Sequence, residues 1–312
     1  MFNSICEFYN IIPKNIDIMR NAERVLAKIQ TETNESYYLK GEPANQSHWE
    51  SGCKYATFLS ENGLNTPTYR KTKEGTYTIS LNEKVFSLEL ALLGKPIKKL
   101  DDQLLATIGS SFGIQHRLSS TIISPLTTAT SWSLFGGNKT DEIGDYDENE
   151  LSFRDFKNTY STHRLFSKVE RLYLTYRLEL KQVWDKFPQG AVQGDFCYYN
   201  MLLKENQQLA IYDFNLAGNE VYLNECVAVG VYHSWHVDYI GTLSKDERFL
   251  LFMNAYQEER ALNQVELQYL LKLKAIIRAF RFDRIEDGIS IKNTEVQDEF
   301  LEETLKILLL VD

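Results

Sequence analysis

A carboxylate, an amide five residues later and a second carboxylate on the following strand form the most informative spacing in the chain. Asp195 and Asn200 lie in one loop, and Asp213 follows an apolar run. Residues 201–204 and 209–212 have the pattern of a hairpin, which would bring the loop beside Asp213. Oxygen-bearing side chains suit hard divalent cations. In phosphoryl transfer, one Asp accepts the hydroxyl proton, while an Asn and a second Asp hold magnesium against the phosphates.

The elements around this hairpin divide the chain into two unlike parts. Before Gly94, the pattern predicts a strand-rich unit with one helix, and residues 1–20 are weakly patterned. The predicted strands cover residues 22–30, 36–41, 76–81 and 84–92, and the helix covers residues 49–62. After Pro96 the chain is mainly helical apart from the hairpin. Helices are predicted at residues 101–119, 223–235, 245–256, 265–282 and 294–310, and residues 153–187 hold one or two helices. This predicts an α+β fold with a small lobe, residues 1–92, and a large lobe, residues 93–312.

Composition restricts the partners and the compartment. The 312 residues are 43% hydrophobic, which allows a packed core, and the net charge is −9. An acidic chain is a poor partner for nucleic acid or anionic membranes, because both bind clustered Lys and Arg. The four cysteines are widely spaced, and neither a signal peptide nor a membrane-spanning stretch is visible. We therefore expect a cytoplasmic protein with reduced thiols. The sequence is silent on the oligomeric state.

The chain resembles the aminoglycoside phosphotransferase and choline kinase superfamily, which has the bilobal protein-kinase-like fold. Its members carry an H-G-D-x-x-x-x-N loop and then a hairpin ending in I-D-F. Residues 193–200 read Gln-Gly-Asp-Phe-Cys-Tyr-Tyr-Asn, and residues 211–214 read Ile-Tyr-Asp-Phe. Further segments resemble the family in the same order along the chain, at residues 21–25, 37–40, 61–67, 86–96, 109–116 and 216–218.

The resemblance implies roles for individual residues. Asp195 would be the catalytic base, or would orient the acceptor hydroxyl, and Asn200 and Asp213 would hold Mg²⁺. Lys40 would contact the phosphates of ATP; Lys28 is the rival lysine, and Lys40 is favoured because its strand leads toward the predicted helix. For each of these residues, the alternative is an ordinary turn, cap or surface position.

The resemblance also implies contacts to the nucleotide in the N-terminal lobe, and the chain departs from the family pattern at two positions. Glu50 is the nearest candidate for the ion-pair partner of Lys40, although its register is early and a solvated helix-start Glu is the alternative. Glu89 and Ala91 would offer hinge backbone groups to adenine. The loop His of the family is Gln193 in this chain, and an Asp expected downstream is Asn224. Two amides at these places suggest one altered structural hydrogen-bond pair.

The acceptor leaves weaker traces in the sequence. Carboxylates and aromatic faces both suit an ammonium-bearing substrate. The candidates are the acidic run at residues 141–150 and the aromatic residues Tyr198, Tyr199, Tyr232, Trp235 and Tyr239. The alternatives are a solvated acidic loop and aromatic side chains that belong to the core.

The function that follows is an ATP- and magnesium-dependent small-molecule kinase. It would move the γ-phosphate to a hydroxyl group of a small molecule, with an amine-bearing acceptor of the choline, homoserine, amino-sugar or aminoglycoside type as one expectation. Two alternatives stay open. One is a nucleotide-binding protein with impaired catalysis, which Gln193, Asn224 and the early register of Glu50 motivate. The other is a kinase that confers resistance to aminoglycoside-type antibiotics.

Overall fold

A computed structural model describes residues 1–122, 126, 130, 133–136 and 147–309. The N-terminal part contains helices α1 (Phe2–Phe8) and α2 (Gln46–Glu61) and strands β1 (Pro13–Asn21), β2 (Val25–Thr31), β3 (Ser36–Glu42), β4 (Thr78–Leu81) and β5 (Lys84–Leu90). The strands form one antiparallel sheet in the order β1-β2-β3-β5-β4. Strands β2 to β5 and helix α2 agree with the sequence prediction.

Helix α1 and strand β1 lie in the segment that the sequence analysis left without structure. Strand β1 is at the edge of the sheet, and most of its side chains are exposed on both faces. It therefore lacks the alternation of apolar and polar residues that marks a half-buried strand. Its place depends on its pairing with β2, which a local pattern does not report.

The C-terminal part is mainly helical, with short strands grouped around the hairpin. A two-residue strand, β6 (Lys95–Pro96), pairs with the first strand of the hairpin, β8 (Met201–Leu203), which in turn pairs with β9 (Leu209–Ile211). A separate pair joins β7 (Gln189–Val192) to β10 (Gly218–Val221). The helices are α3 (Asp102–Ser119), α4 (Glu148–Tyr160), α5 (Phe166–Val183), α6 (Tyr222–Trp235), α7 (Lys245–Glu259), α8 (Gln264–Ala279), α9 (Phe282–Ser290) and α10 (Thr294–Leu309).

The stretch at residues 153–187, predicted to hold one or two helices, holds α5 and most of α4. Two details of this part differ from the sequence prediction. The segment predicted to end at Phe282 ends at Ala279, and the separate helix α9 was not predicted. Strands β7 and β10 were not predicted. Each is four residues long, and one precedes the hairpin in sequence while the other follows it. Because they pair with each other, no local sequence pattern marks them.

Helix α2 connects the two parts of the molecule. One apolar core lies in the N-terminal sheet and includes Tyr9 and Leu39, whereas the larger core contains Tyr55 and Leu59 of α2 together with the helical part. The Tyr55 ring packs edge-on against Phe214, with 5.8 Å between ring centroids. The helix thus fixes the N-terminal sheet against the end of the hairpin.

The described residues also bear on three other expectations. None of the helices in the described ranges combines the length and apolar character needed to cross a bilayer. The four cysteines form no disulfide. The boundary predicted after residue 92 falls in the connection between β5 and β6, and it remains a prediction, as does the cytoplasmic location.

Candidate active site

The loop between β7 and β8 brings Asp195 and Asn200 into direct contact. The Nδ2 of Asn200 donates to Asp195 Oδ2 at 2.9 Å and to the Asp195 carbonyl at 3.0 Å. The other carboxylate oxygen accepts from Cys197 Sγ at 2.8 Å and from the Tyr199 hydroxyl at 3.4 Å. Both oxygens of Asp195 are therefore held by side chains of its own loop.

Gln193 joins this loop to Asp213. Its Oε1 accepts from the Asp195 N–H at 2.8 Å, while its Nε2 donates to the carbonyls of Tyr212 at 3.2 Å and Asp213 at 2.5 Å. Gln193 is fully buried, and Asp213 has a φ of +66°. An L-residue rarely adopts such a φ without support, and the bond to Gln193 supplies it. The Gln193 amide thus orients the loop relative to Asp213.

Gly194 is a position where only glycine fits the loop. Its φ is +85°, and a Cβ built there would lie 2.2 Å from the Leu216 carbonyl oxygen. Its N–H donates to Glu225 Oε1 at 2.8 Å. The loop is therefore packed tightly against the chain that follows the hairpin.

We expect Gly194→Ala to destabilise the protein far more than Gly63→Ala. Gly63 is the matched control, because its φ is +92° but a Cβ there meets nothing within 4 Å. Alanine at either position bears about 1 kcal/mol of left-handed strain, and the clash at Gly194 adds about 2 kcal/mol. Denaturant unfolding of both variants measures the difference. Equal losses would show that the approach of Leu216 does not constrain the loop.

Lys40 lies on β3 and faces two carboxylates. Its Nζ is 3.1 Å from Glu89 Oε1 and 3.4 Å from Asp213 Oδ1. Burial alone would lower the pKa of Lys40, but the two carboxylates outweigh it and raise the pKa above its ordinary value. The rival, Lys28, is exposed on β2. The structure therefore brings Lys40 to the end of the hairpin as predicted.

The partner of Lys40 requires a correction, since it is Glu89 rather than Glu50. Glu50 Oε2 instead accepts from the Tyr77 N–H at 2.9 Å and from the N–H and hydroxyl of Thr78 at 3.0 and 2.9 Å. Glu89, on β5, therefore makes the ion pair with Lys40 that was predicted for Glu50, on α2.

The close approach of α2 to the hairpin explains the change of element. A Cβ on Gly52 would lie 2.6 Å from the Phe214 carbonyl oxygen. No larger side chain fits at that point of the helix, two residues after Glu50. Glu89 reaches Lys40 instead because β5 pairs directly with β3, with Tyr38 opposite Glu89.

The structure also shows how the backbone groups of the predicted hinge, which would contact adenine, are used. The Ala91 N–H donates to the Ser36 carbonyl and the Leu90 N–H to the Thr68 carbonyl, both at 2.9 Å. These donors are used within the lobe, so Ala91 does not offer its N–H to adenine in this arrangement. Glu89 contributes its side chain to the Lys40 pair in addition to its place in the strand.

We expect Glu89→Gln to weaken ATP binding, with Glu50→Gln as the matched control. Loss of the carboxylate leaves Lys40 with Asp213 as its remaining ion-pair partner, so its ammonium is less firmly held. A hydrogen bond to a charged group contributes about 1.5–3 kcal/mol, which corresponds to about a tenfold or greater loss of affinity. Titration calorimetry with ATP and Mg²⁺ measures it. A larger loss of ATP affinity in Glu50→Gln than in Glu89→Gln would show that Glu50 is the carboxylate that supports nucleotide binding.

A buried network behind the loop was missed by the sequence analysis. Glu225 at the start of α6 accepts from the Gly194 N–H through Oε1, and its Oε2 lies 2.8 Å from His116 Nε2. The other His116 nitrogen lies 2.8 Å from the Tyr256 hydroxyl. Burial raises the pKa of Glu225 to about 8 and lowers the pKa of His116 below its ordinary value. The anchoring carboxylate follows Asn224 by one residue, so a shift of one position in the comparison would have identified it.

A cavity of about 150 Å³ opens beside Asp195. Tyr199, Tyr232, Arg281 and Phe282 contribute to its wall. The sequence analysis predicted the two tyrosines for the acceptor site but did not consider Arg281 or Phe282, because α9 was not recognised. Tyr198 lies behind them, its ring stacked on Tyr232 with 6.4 Å between centroids.

The other acceptor candidates lie elsewhere. Trp235 packs against Lys274 and Arg278, and the Tyr239 hydroxyl bonds to Asp102. Neither Trp235 nor Tyr239 lines the cavity beside Asp195. Both therefore have the packing role that was the alternative.

Most of the acidic run lies outside the described residues, which resume at Asp147. Asp147 caps α4 and pairs with Arg177 at 2.6 Å, and Glu150 pairs with Arg154 at 2.8 Å. These two carboxylates support the local structure. Burial raises the pKa of Glu148 to about 7.

The oxygen donors at the end of the hairpin suit a hard cation. Asn200 uses its Nδ2 as a donor to Asp195, which leaves its Oδ1 as the atom that would bind a metal. Asp213 is partly exposed, and only carboxylate and amide oxygens are present in this set. In the described ranges, no group of three or more His, Cys, Asp or Glu residues forms a metal site. The donor set therefore fits Mg²⁺ or Ca²⁺ better than zinc.

Comparison with solved structures identifies the fold. Amicoumacin kinase hAmiN, solved in complex with AMP-PNP, Ca²⁺ and Ami, aligns with a TM-score of 0.65 and 13% identity over 98% of this chain and 92% of that chain. The protein has the fold of this kinase. An aminoglycoside phosphotransferase from Alicyclobacillus acidocaldarius gives a TM-score of 0.58 and 11% identity over 99% and 95% of the two chains. Spectinomycin phosphotransferase APH(9)-Ia gives 0.53 and 12% over 99% and 96%.

These alignments confirm the predicted bilobal, kinase-like α+β fold. No protein-family model matches the sequence, and no curated protein matches it at a significant level. At 11–13% identity the kinase-like fold is what the comparison establishes. The function must therefore be argued from the site.

Proposed function

We propose that this protein transfers the γ-phosphate of ATP to a hydroxyl group of a small molecule. The observation that carries the proposal is one connected set of side chains. Asp195 and Asn200 are in contact, Gln193 bonds to the backbones of Asp195 and Asp213, and Lys40 lies 3.4 Å from Asp213. A base, an oxygen-rich cation site and a fixed ammonium are the parts that phosphoryl transfer uses.

Asp195 would act on the acceptor. In the proposed step, the hydroxyl oxygen forms a bond to the γ-phosphorus while the bond from that phosphorus to the β–γ bridging oxygen breaks. The hydroxyl proton passes to Asp195, and ADP leaves with the bridging oxygen. Asn200 and Cys197 hold the carboxylate by hydrogen bonds of 2.9 and 2.8 Å, so its orientation is set before the acceptor arrives.

Asn200 and Asp213 would hold the magnesium ion. When bound, the ion would neutralise phosphate charge, as divalent cations do in this chemistry. Lys40, on β3, would place its positive charge against the phosphates. The Glu89 carboxylate holds the Lys40 ammonium in place. The use of a nucleotide and a divalent cation is supported by the solved kinase that carries AMP-PNP and Ca²⁺.

The departures that motivated an inactive protein each have a substitute in the structure. Gln193 stands at the place of the family's His and bonds to the backbones of Asp195 and Asp213. Glu225 supplies a carboxylate to the loop next to Asn224, and Glu89 pairs with Lys40 in place of Glu50. These replacement contacts support an intact site, so we favour a catalytic protein over one that only binds nucleotide.

The first test is binding, followed by turnover. We expect ATP with Mg²⁺ to raise the melting temperature more than ATP alone, because the cation and the phosphates bind together. An ATP-consumption screen over hydroxyl-bearing metabolites and antibiotics should then yield at least one acceptor. Binding that needs Mg²⁺ but supports no transfer to any compound would favour the inactive alternative.

A further inference from the structure

A β-bulge near the end of β1 determines the face of the sheet on which Arg20 lies. Ile18 is opposite Ala27 of β2, but the register then shifts, and Arg20 is opposite Leu26. Residues two apart in a regular strand share a face, whereas the bulge at this point puts Ile18 and Arg20 on opposite faces. Ala27 belongs to the apolar core of the N-terminal sheet. Arg20 therefore lies on the face that is turned away from that core.

The pairing of β2 with β3 shows that this face also carries Lys40. Leu26 is opposite Lys40, so Arg20, Leu26 and Lys40 form one row across three strands and share a face. From this face the Lys40 ammonium reaches Asp213, at 3.4 Å. Neighbouring strands are about 4.8 Å apart, which places the backbones of Arg20 and Lys40 about 10 Å from each other.

The row lies at the phosphate end of the proposed ATP site. The predicted adenine contacts are near Ala91, whose N–H donates to the Ser36 carbonyl at the start of β3. Lys40 is four residues further along β3, which is about 13 Å at the usual rise of a strand. A long side chain in the same row as Lys40 is therefore placed to reach the phosphates and not the base.

The turn of the β1–β2 hairpin is anchored by two contacts, one of which neutralises its second arginine. Arg24 Nε is 2.8 Å from Glu42 Oε2 on β3, and the Lys84 ammonium donates to the Ala22 carbonyl. Arg20, in contrast, is exposed and makes no ion pair with any residue that the structure describes. Its backbone is thus held in place while its guanidinium is available for an anion.

The other cation of β2 on this face has a carboxylate opposite it. Lys28, two residues after Leu26, faces Asp17 of β1. Opposite charges at such directly opposed positions attract each other. The charge of Lys28 is therefore offset within the sheet, which is not so for Arg20.

We infer that Arg20 binds the phosphates of ATP from the end of the β1–β2 hairpin, beside Lys40. A guanidinium is planar and carries paired donors that match phosphate oxygens. Glycine-rich loops bind phosphates through backbone N–H groups, but residues 20–25 contain no glycine. The Arg20 side chain supplies the contact instead. The inference rests on the proposed function for the identity of the ligand as ATP.

Arg20→Gln tests the inference with two ligands that differ only in their phosphates, ATP and adenosine. Titration calorimetry with the full chain and Mg²⁺ measures the affinity for ATP, and ligand-observed NMR measures the affinity for adenosine. We expect the ATP affinity to fall about tenfold, which corresponds to about 1.4 kcal/mol, and the adenosine affinity to stay at the wild-type value. Arg20→Lys should keep part of the ATP affinity, because the charge remains while the paired donors are lost.

Lys14→Gln is the matched control, because Lys14 is also exposed on β1, six residues from Arg20. It removes the same charge about 20 Å away along the strand and should leave the ATP affinity close to the wild-type value. Unchanged ATP affinity in Arg20→Gln, an equal loss for adenosine, or an equal loss in Lys14→Gln would overturn the inference. A wild-type protein that binds ATP through Arg20 but transfers phosphate to no acceptor would instead contradict the proposed function.

Discussion

Asp195→Asn is expected to lower the rate of phosphate transfer by about a thousandfold, which is within the range typical for loss of a general base. The amide has nearly the same shape, and its one oxygen can accept from Asn200 or from Cys197 but not from both. It cannot take the hydroxyl proton. Asp195 makes no ion pair with Lys40 among the described residues, whereas Glu89 and Asp213 do. ATP affinity should therefore stay close to the wild-type value.

The rate is measured as ADP release with the acceptor found in the screen, and ATP binding is measured by calorimetry. Asp185→Asn is the control, since Asp185 is exposed in the turn after α5, away from the loop. A variant at Asp195 with the full rate would show that another group accepts the proton.

Asp213→Asn is expected to make the reaction depend on much higher Mg²⁺ concentrations. The substitution removes one negative charge from the proposed cation site, and Lys40 loses its partner at 3.4 Å. The Mg²⁺ concentration for half-maximal rate should rise at least about tenfold, because even outer-shell partners of a metal contribute that much. The backbone bond from Gln193 to the Asp213 carbonyl is unaffected by the change, so the fold should be retained.

A titration of the rate with Mg²⁺ measures the effect, again with Asp185→Asn as the control. An unchanged Mg²⁺ dependence would remove Asp213 from the cation site and leave Asn200 without its proposed partner. A fall in rate that high Mg²⁺ restores is the outcome that the geometry favours.

The local part of the site could be predicted from the sequence because it is short in chain length. Asp195 and Asn200 share one loop, and the hairpin that returns the chain to Asp213 is marked by two apolar runs and a polar turn. Lys40 was also predictable, since its strand was visible. Gln193 was predicted only as a member of an altered hydrogen-bond pair, and its bonds to the backbones of Asp195 and Asp213 were not predicted.

The remaining features depend on contacts between distant segments. Glu89 pairs with Lys40 because of the register between β3 and β5, which no local pattern contains. The Phe214 carbonyl leaves no room for a side chain at Gly52 of α2, and this contact forms only on folding. Arg281 and Phe282 reach the cavity from the start of α9, a helix that was not predicted.

The most direct measurement of the central claim is ³¹P NMR of ATP, the acceptor and the full chain, with and without Mg²⁺. We predict that the γ-phosphate signal is replaced by equal amounts of ADP and a phosphomonoester of the acceptor in the presence of Mg²⁺, and that Asp195→Asn does not produce this change. Persistence of intact ATP with the wild-type protein across the whole set of hydroxyl compounds, despite bound nucleotide and Mg²⁺, would contradict the claim that Asp195, Asn200, Asp213 and Lys40 form a phosphotransfer site.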